Sequence, residues 1–263
     1  MEGGGQTTRG VMRIRPGVEV AGLSDVGCQR ANNEDRYSYW EPASDELFAQ
    51  RGRLATLADG MGGYEGGQEA SRIAVETIEQ VYAGPDGGGP RALLLAGFHA
   101  AHQRIQQHSA SHPELAGMGT TCTAVAVLPH ELYFAHVGDS RLYLARESKI
   151  YRLTRDHSYV GRLVDQGIIS PEEAASHPQR HILTAALGAG TEVSPECPEQ
   201  PLPLEARDTL ILCCDGLWSL VSETEIQAAV QSDELSEACQ TLVNLAKQRG
   251  GPDNITVEVL RLG

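Results

Sequence analysis

Acidic side chains stand at the ends of the most apolar runs of this 263-residue sequence. Asp59 follows LATLA, Asp215 follows LILCC, and Asp253 precedes ITVEVL within GGPDN. A further pair, Glu34-Asp35, lies in a turn ahead of a short strand-like run. A bare carboxylate beside a buried strand is costly unless something pairs with it. Several such groups converging at one end of a sheet stack repel each other without a cation. Hard divalent ions such as Mg²⁺ and Mn²⁺ prefer this all-oxygen, carboxylate-rich setting. Asp-Gly is also a strong turn signal, so Asp59-Gly60 and Asp215-Gly216, taken singly, read more readily as turns. Their combination with Glu34, Asp35 and Asp253 is what favours a metal centre.

Other chemistries find no support in the spacing. GMGGYEGG (60–67) lacks the GK[ST] ending that holds nucleotide phosphates, and it does not fit G-x-G-x-x-G. Ser140 in VGDSR is not the centre of a G-x-S-x-G elbow. There is no H-E-x-x-H, and the nine histidines show no ligand-like spacing. None of the six cysteines forms a C-x-x-C pair. Cys122, Cys213 and Cys214 lie in apolar runs, where a thiol behaves as a small hydrophobe, so a reduced, cytoplasmic chain is expected.

These acids must be positioned by strands. The expected strands are Val18–Leu23, Tyr37–Trp40, Arg53–Ala58, Thr120–Leu128, Glu131–Val137, Arg141–Ala145, Ile150–Leu153, Thr209–Cys214 and Ile255–Leu260. Residues 41–52 read as a loop, and 59–67 as too Gly-rich for a regular element. Ala70, Ile73, Ala74, Thr77, Ile78 and Val81 mark one helix face, and Leu94, Leu95, Phe98, Ala101 and Ile105 a second. Two more helices follow Asp215, the first opened by the Ser222…Glu225 capping box and the second over Leu235–Arg249. The order is strands, two helices, many strands, two helices, strand. It predicts an α+β fold, a β-sandwich of two antiparallel sheets with a pair of α-helices on each outer face. Residues 1–17 read as a flexible N-terminal segment and 18–263 as one domain.

Lys and Arg number 21 against 35 Asp and Glu, a net charge of −14. Such a surface repels nucleic acid and anionic membranes. No run reaches the roughly 18 apolar residues of a membrane span, and MEGGGQTTRGVMRIRPG has no apolar signal core.

Eight segments together resemble the metal-dependent Ser/Thr protein phosphatases (the PPM, or type-2C, family), particularly its compact bacterial members. They are SDVGCQRANNEDRY (24–37), LADGMGGYEGGQEAS (57–71), GMGTTCTAV (117–125), HVGDSRLYL (136–144), LTRDHSYV (153–160), SHPQRHILTAALG (176–188), CCDGLW (213–218) and GPDNITV (251–257). The resemblance implies two divalent cations, Mn²⁺ or Mg²⁺, and hydrolysis of phosphoserine and phosphothreonine by direct attack of a shared water. By position, Asp59 matches the bridging metal ligand, the Gly60 carbonyl a ligand of one ion, and Asp215 and Asp253 ligands of the other. Glu34 matches a ligand acting directly or through water. Asp35 and Asn254 match close supports, and Arg30 matches the clamp on the substrate phosphate.

Two departures stand out. Met61 occupies the place of the eukaryotic relatives' proposed general-acid His. Ala116-Gly117 stand where many bacterial relatives carry an Asp for a third metal, with Glu114 the nearest acid, so a third ion is not expected. Residues 158–187 match the family's flap beside the site, with Arg162, Gln179, Arg180 and His181 as substrate-selecting candidates. Asp139 and Asp156 are expected to hold turn and loop geometry. The implied partners are phosphoproteins, among them a bacterial-type Ser/Thr kinase, and the chain is expected to act as a monomer. The alternatives are a phosphatase of the same fold for an anti-anti-sigma-type regulator or a small phosphoester, and a non-catalytic metal-binding interaction module.

Overall fold

The computed structural model describes residues 15–62, 65–85 and 87–263. The chain opens with β1 (Val18–Asp25), β2 (Asp35–Trp40), α1 (Asp45–Arg51), β3 (Arg53–Met61), α2 (Gly66–Ala83) and α3 (Pro90–Ser111). The middle holds β4 (Gly119–Thr120), β5 (Cys122–Val127), β6 (Glu131–Val137), β7 (Arg141–Arg146) and β8 (Lys149–Arg152), then α4 (Tyr159–Asp165) and α5 (Pro171–Ala175). The last elements are β9 (Leu202–Pro203), β10 (Thr209–Cys213), α6 (Asp215–Trp218), α7 (Glu223–Ala229), α8 (Leu235–Gln248) and β11 (Ile255–Leu262).

The strands pair antiparallel into two sheets, ordered β1-β11-β10-β7-β8 and β2-β3-β5-β6-β9, with β4 on the end of β3. The central strands are apolar throughout because both of their faces are covered. In β3, Ala55 and Leu57 point between the sheets, whereas Leu54 and Ala58 pack against Ile78, Phe98 and Ile105 of α2 and α3. In β10, Leu210 and Leu212 point between the sheets, whereas Ile211 and Cys213 pack against Ile226, Leu242 and Val243 of α7 and α8. The result is the expected sandwich with a helix pair on each outer face.

Several local expectations change. The segment read as a loop over 41–52 contains α1, started by the Ser44 hydroxyl accepting from the Leu47 amide and ended at Gly52, whose φ of 64° suits glycine. β3 runs on to Met61 and α2 begins at Gly66, both inside the stretch expected to be irregular. On α3, Leu93 is buried in place of Leu95. Residues 1–14 of the expected flexible segment lie outside the described residues. Arg15 is docked, its amide donating to Glu41 Oε1 at 2.8 Å and its guanidinium paired with Asp45. Among the described residues, no helix is long and apolar enough to cross a membrane.

Candidate metal centre

Strand register brings the acids to one end of the sandwich. Asp35, the first residue of β2, stands directly opposite Asp59, near the end of β3. In the other sheet β10 ends just before Asp215, and its neighbour β11 begins just after Asp253 and Asn254. Asp139 joins them from the turn between β6 and β7.

Arg30, Glu34, Asp59, Gly60, Asp215 and Asp253 all line one open cleft of about 1270 Å³, so six of the eight expected site residues meet there. The other two stand behind it. Asn254 accepts from the Glu34 amide (2.8 Å) and donates to the carbonyls of Val26 (3.0 Å) and Asn32 (2.9 Å), fixing the 26–34 turn to β11. Asp35 is 1% exposed and accepts from the Thr256 hydroxyl at 2.6 Å through Oδ2. Its Oδ1 has no hydrogen-bond partner among the described residues. Arg30 faces the cleft with its guanidinium on Asp253 Oδ2 at 2.7 Å.

The carboxylates strain against one another. Asp59 is held well above the usual carboxylate range, first by burial and then by Asp35, Asp215, Asp139 and Asp253. Burial, together with Asp215 and Asp253, lifts Asp35 to about 7 against the pull of its bond from the Thr256 hydroxyl. Burial and Asp253 also raise Asp215, partly offset by His181 and Arg30. Glu34 is raised by burial, with Arg30 opposing. A crowded set of desolvated oxygens, one of them orphaned, is what a pair of hard divalent cations would neutralise. The donor set therefore fits Mn²⁺ or Mg²⁺.

Asp139 is the residue the sequence reading left out of the site. Its carbonyl does hold the turn, accepting from Trp218 Nε1 at 2.9 Å. Its buried carboxyl, however, lines the cleft and is lifted to about 8 by burial, Asp215 and Asp156. Asp156 also lines the cleft, and it holds loop geometry as expected through two bonds from Arg141 at 3.0 and 2.7 Å. Glu114 is exposed and does not line the cleft. Of the flap candidates, Arg162, Arg180 and His181 line the cleft and Gln179 does not.

A second group, His136, His157 and Glu196, has potential ligand atoms within 4.8 Å of one another. Both ring nitrogens of His136 are engaged, Nδ1 by the Thr123 hydroxyl at 2.8 Å and Nε2 by the Gly138 and Arg155 carbonyls at 3.0 and 3.1 Å. Burial pulls this imidazole down to about 3, and it pins the wall of the cleft as a neutral donor.

The family model for protein phosphatase 2C matches residues 29–254. The chain belongs to this family. Among curated relatives, the serine/threonine protein phosphatase PstP of Mycobacterium tuberculosis is 40% identical over 247 residues, 94% of this chain. The match spans only 45% of that protein's length. Protein phosphatase PhpP of Streptococcus pneumoniae is 35% identical, with 93% of this chain and 98% of PhpP covered. A crystal structure of the PstP catalytic domain in complex with two manganese ions superposes with a TM-score of 0.80 at 37% identity, covering 94% of this chain and 98% of that one. Family membership accounts for the order of the eight motifs and for the two-sheet architecture together.

Proposed function

We propose that this chain is a metal-dependent phosphoprotein phosphatase acting on phosphoserine and phosphothreonine. The observation that carries the reading is the convergence of Asp59, Asp215 and Asp253 with Asp35 and Asp139, whose mutual repulsion asks for cations. The manganese-bound relative and the family match support it. Asp59, the Gly60 carbonyl, Asp215 and Asp253 would hold two ions, with Glu34 serving directly or through water. When bound, such a pair neutralises phosphoryl charge and makes the attacking water more acidic.

The chain's own groups do the rest. Arg30, at the mouth of the cleft, offers a planar fork of donors that suits phosphoryl oxygens. Asn254 fixes the turn that carries Arg30 and Glu34. The flap residues Arg162, Arg180 and His181, which line the same cleft, are placed to select among phosphoprotein substrates. A bacterial-type Ser/Thr kinase and its targets are the partners we infer, in keeping with relatives named as serine/threonine phosphatases. We infer a monomeric, cytoplasmic enzyme; that all six cysteines are unpaired supports the reducing setting.

Hydrolysis of an aryl phosphate and of phosphoserine peptides tests this reading. Activity should require Mn²⁺ or Mg²⁺, disappear in EDTA and resist okadaic-acid-type inhibitors. Full activity in EDTA would overturn it.

A further inference from the structure

Gly67 sits in the first turn of α2, where its φ is not in the left-handed region. Its backbone therefore does not require glycine. At a helical position glycine costs about 0.5–1 kcal/mol relative to alanine. What the missing side chain provides is space. A Cβ on Gly67 would lie 2.6 Å from Glu34 Cδ and 2.8 and 2.9 Å from its two carboxyl oxygens. Carbon atoms pack comfortably at about 3.5–4.0 Å, so the two groups cannot both stay where they are.

The backbone of Glu34 is held on both sides. Its amide donates to Asn254 Oδ1 at 2.8 Å, and its carbonyl accepts from the Gly60 amide at 3.2 Å. The neighbouring Gly60 is equally constrained, since a Cβ there would collide with the Gly67 carbonyl oxygen. Three segments (the turn before β2, the end of β3 and the start of α2) thus close on one another around the Glu34 carboxylate. With its backbone fixed, Glu34 can answer an intrusion at Gly67 only by moving its carboxylate.

We propose that Gly67 is a positioning residue for Glu34: the bare backbone of the first turn of α2 sets where the Glu34 carboxylate lies in the cleft. The proposal rests on the reading that Glu34 serves the metal centre. It extends the site to a residue that offers no ligand atom, and it explains why a glycine stands at position 67 in the first turn of the helix.

The test compares wild type, Gly67→Ala, Glu34→Ala and the double variant by thermal melts across a Mn²⁺ titration. Gly67→Ala should keep or raise the melting temperature without metal, since alanine favours the helix. It should need about 10–100-fold more Mn²⁺ to reach the same rise in melting temperature as the wild type, the usual cost of disturbing a ligand's support. The double variant should respond to Mn²⁺ as Glu34→Ala does. If Glu34→Ala leaves the Mn²⁺ response intact, the reading of Glu34 fails and this inference fails with it. If Glu34→Ala weakens the response while Gly67→Ala does not, the inference alone is overturned. A double variant weaker than Glu34→Ala also overturns it, because Gly67 would then act elsewhere. Should Gly67→Ala not fold, a folded double variant upholds the clash with Glu34, and an unfolded one refutes it.

Discussion

Glu258 is a carboxyl the proposed chemistry does not use, and it offers a quantitative test of the packing. It lies in β11 opposite Gly22 of β1 and Leu212 of β10, facing between the sheets. It is 0% exposed, and neither carboxyl oxygen has a hydrogen-bond partner among the described residues. Burial holds its pKa well above the usual carboxylate range, and burial followed by the nearby Glu258 carboxyl raises the Tyr37 hydroxyl to about 12. Leaving a buried polar group unsatisfied costs about 1–3 kcal/mol, so Glu258→Met, an unbranched apolar side chain of similar length, should stabilise the fold by that amount at low pH, where both states hold the proton. At roughly 2–4 °C per kcal/mol this is about 2–12 °C in Tm. The folded chain keeps the Glu258 proton at a pH where the unfolded chain, titrating near about 4.3, releases it. Its contribution is therefore complete below about pH 4.3 and is lost as pH rises, by up to about 1.4 kcal/mol per unit. Asp35, Asp59 and Asp139 slope the same way in both proteins, so the difference isolates Glu258. Metal-free melts at several pH values between 5 and 8 should show the gap between variant and wild type widening with pH. A constant gap, or a destabilised variant at every pH, would refute the reasoning.

Other substitutions separate the roles within the cleft. Arg30→Ala should cost about 1.5–3 kcal/mol in kcat/KM, mostly as raised KM, because Arg30 itself supplies no metal ligand; a collapse of kcat at constant KM would contradict the clamp. Its ion pair with Asp253 is exposed, with side chains 51% and 36% accessible, so the melting temperature should hardly move. Asn254→Ala removes three hydrogen bonds from a site 6% exposed, and it should lower stability by about 1–3 kcal/mol and weaken Mn²⁺ binding together. Melts with and without Mn²⁺ check both effects, and an unchanged metal response would detach Asn254 from the site.

The parts of the fold legible in the sequence are those where one chemical pattern has one structural cause. LATLA and LILCC are apolar throughout because they are covered on both faces, and the helix stripes repeat because each helix covers one sheet. Segments whose residues answer to a distant neighbour were harder to read. The glycines of GMGGYEGG suggest a turn, yet Gly66 and Gly67 begin a helix, and Gly67 is explained by Glu34, more than thirty positions away. α1 has only two turns and few apolar positions, so its Ser44 cap and the acids Asp45 and Glu46 were its main signal. β9, with two residues and a proline, carries no pattern at all. For the site, Asp59, Asp215 and Asp253 were legible because each adjoins an apolar strand. Asp139 looks like any turn acid in GDS, and only the sheet register brings it beside Asp215.

The central claim is that Asp59 belongs to a metal centre and not merely to an Asp-Gly turn. Asp59→Asn preserves shape and removes charge, and asparagine suits the same turns. Thermal melts of both proteins with and without Mn²⁺ decide between the two. Without metal the variant should melt at or above the wild-type temperature, since one member of a mutually repelling cluster has lost its charge. With Mn²⁺ at about 100 times its Kd, the wild type should gain about 2.7 kcal/mol and the variant much less. An equal Mn²⁺ shift in both proteins would contradict the account and remove Asp59 from the site.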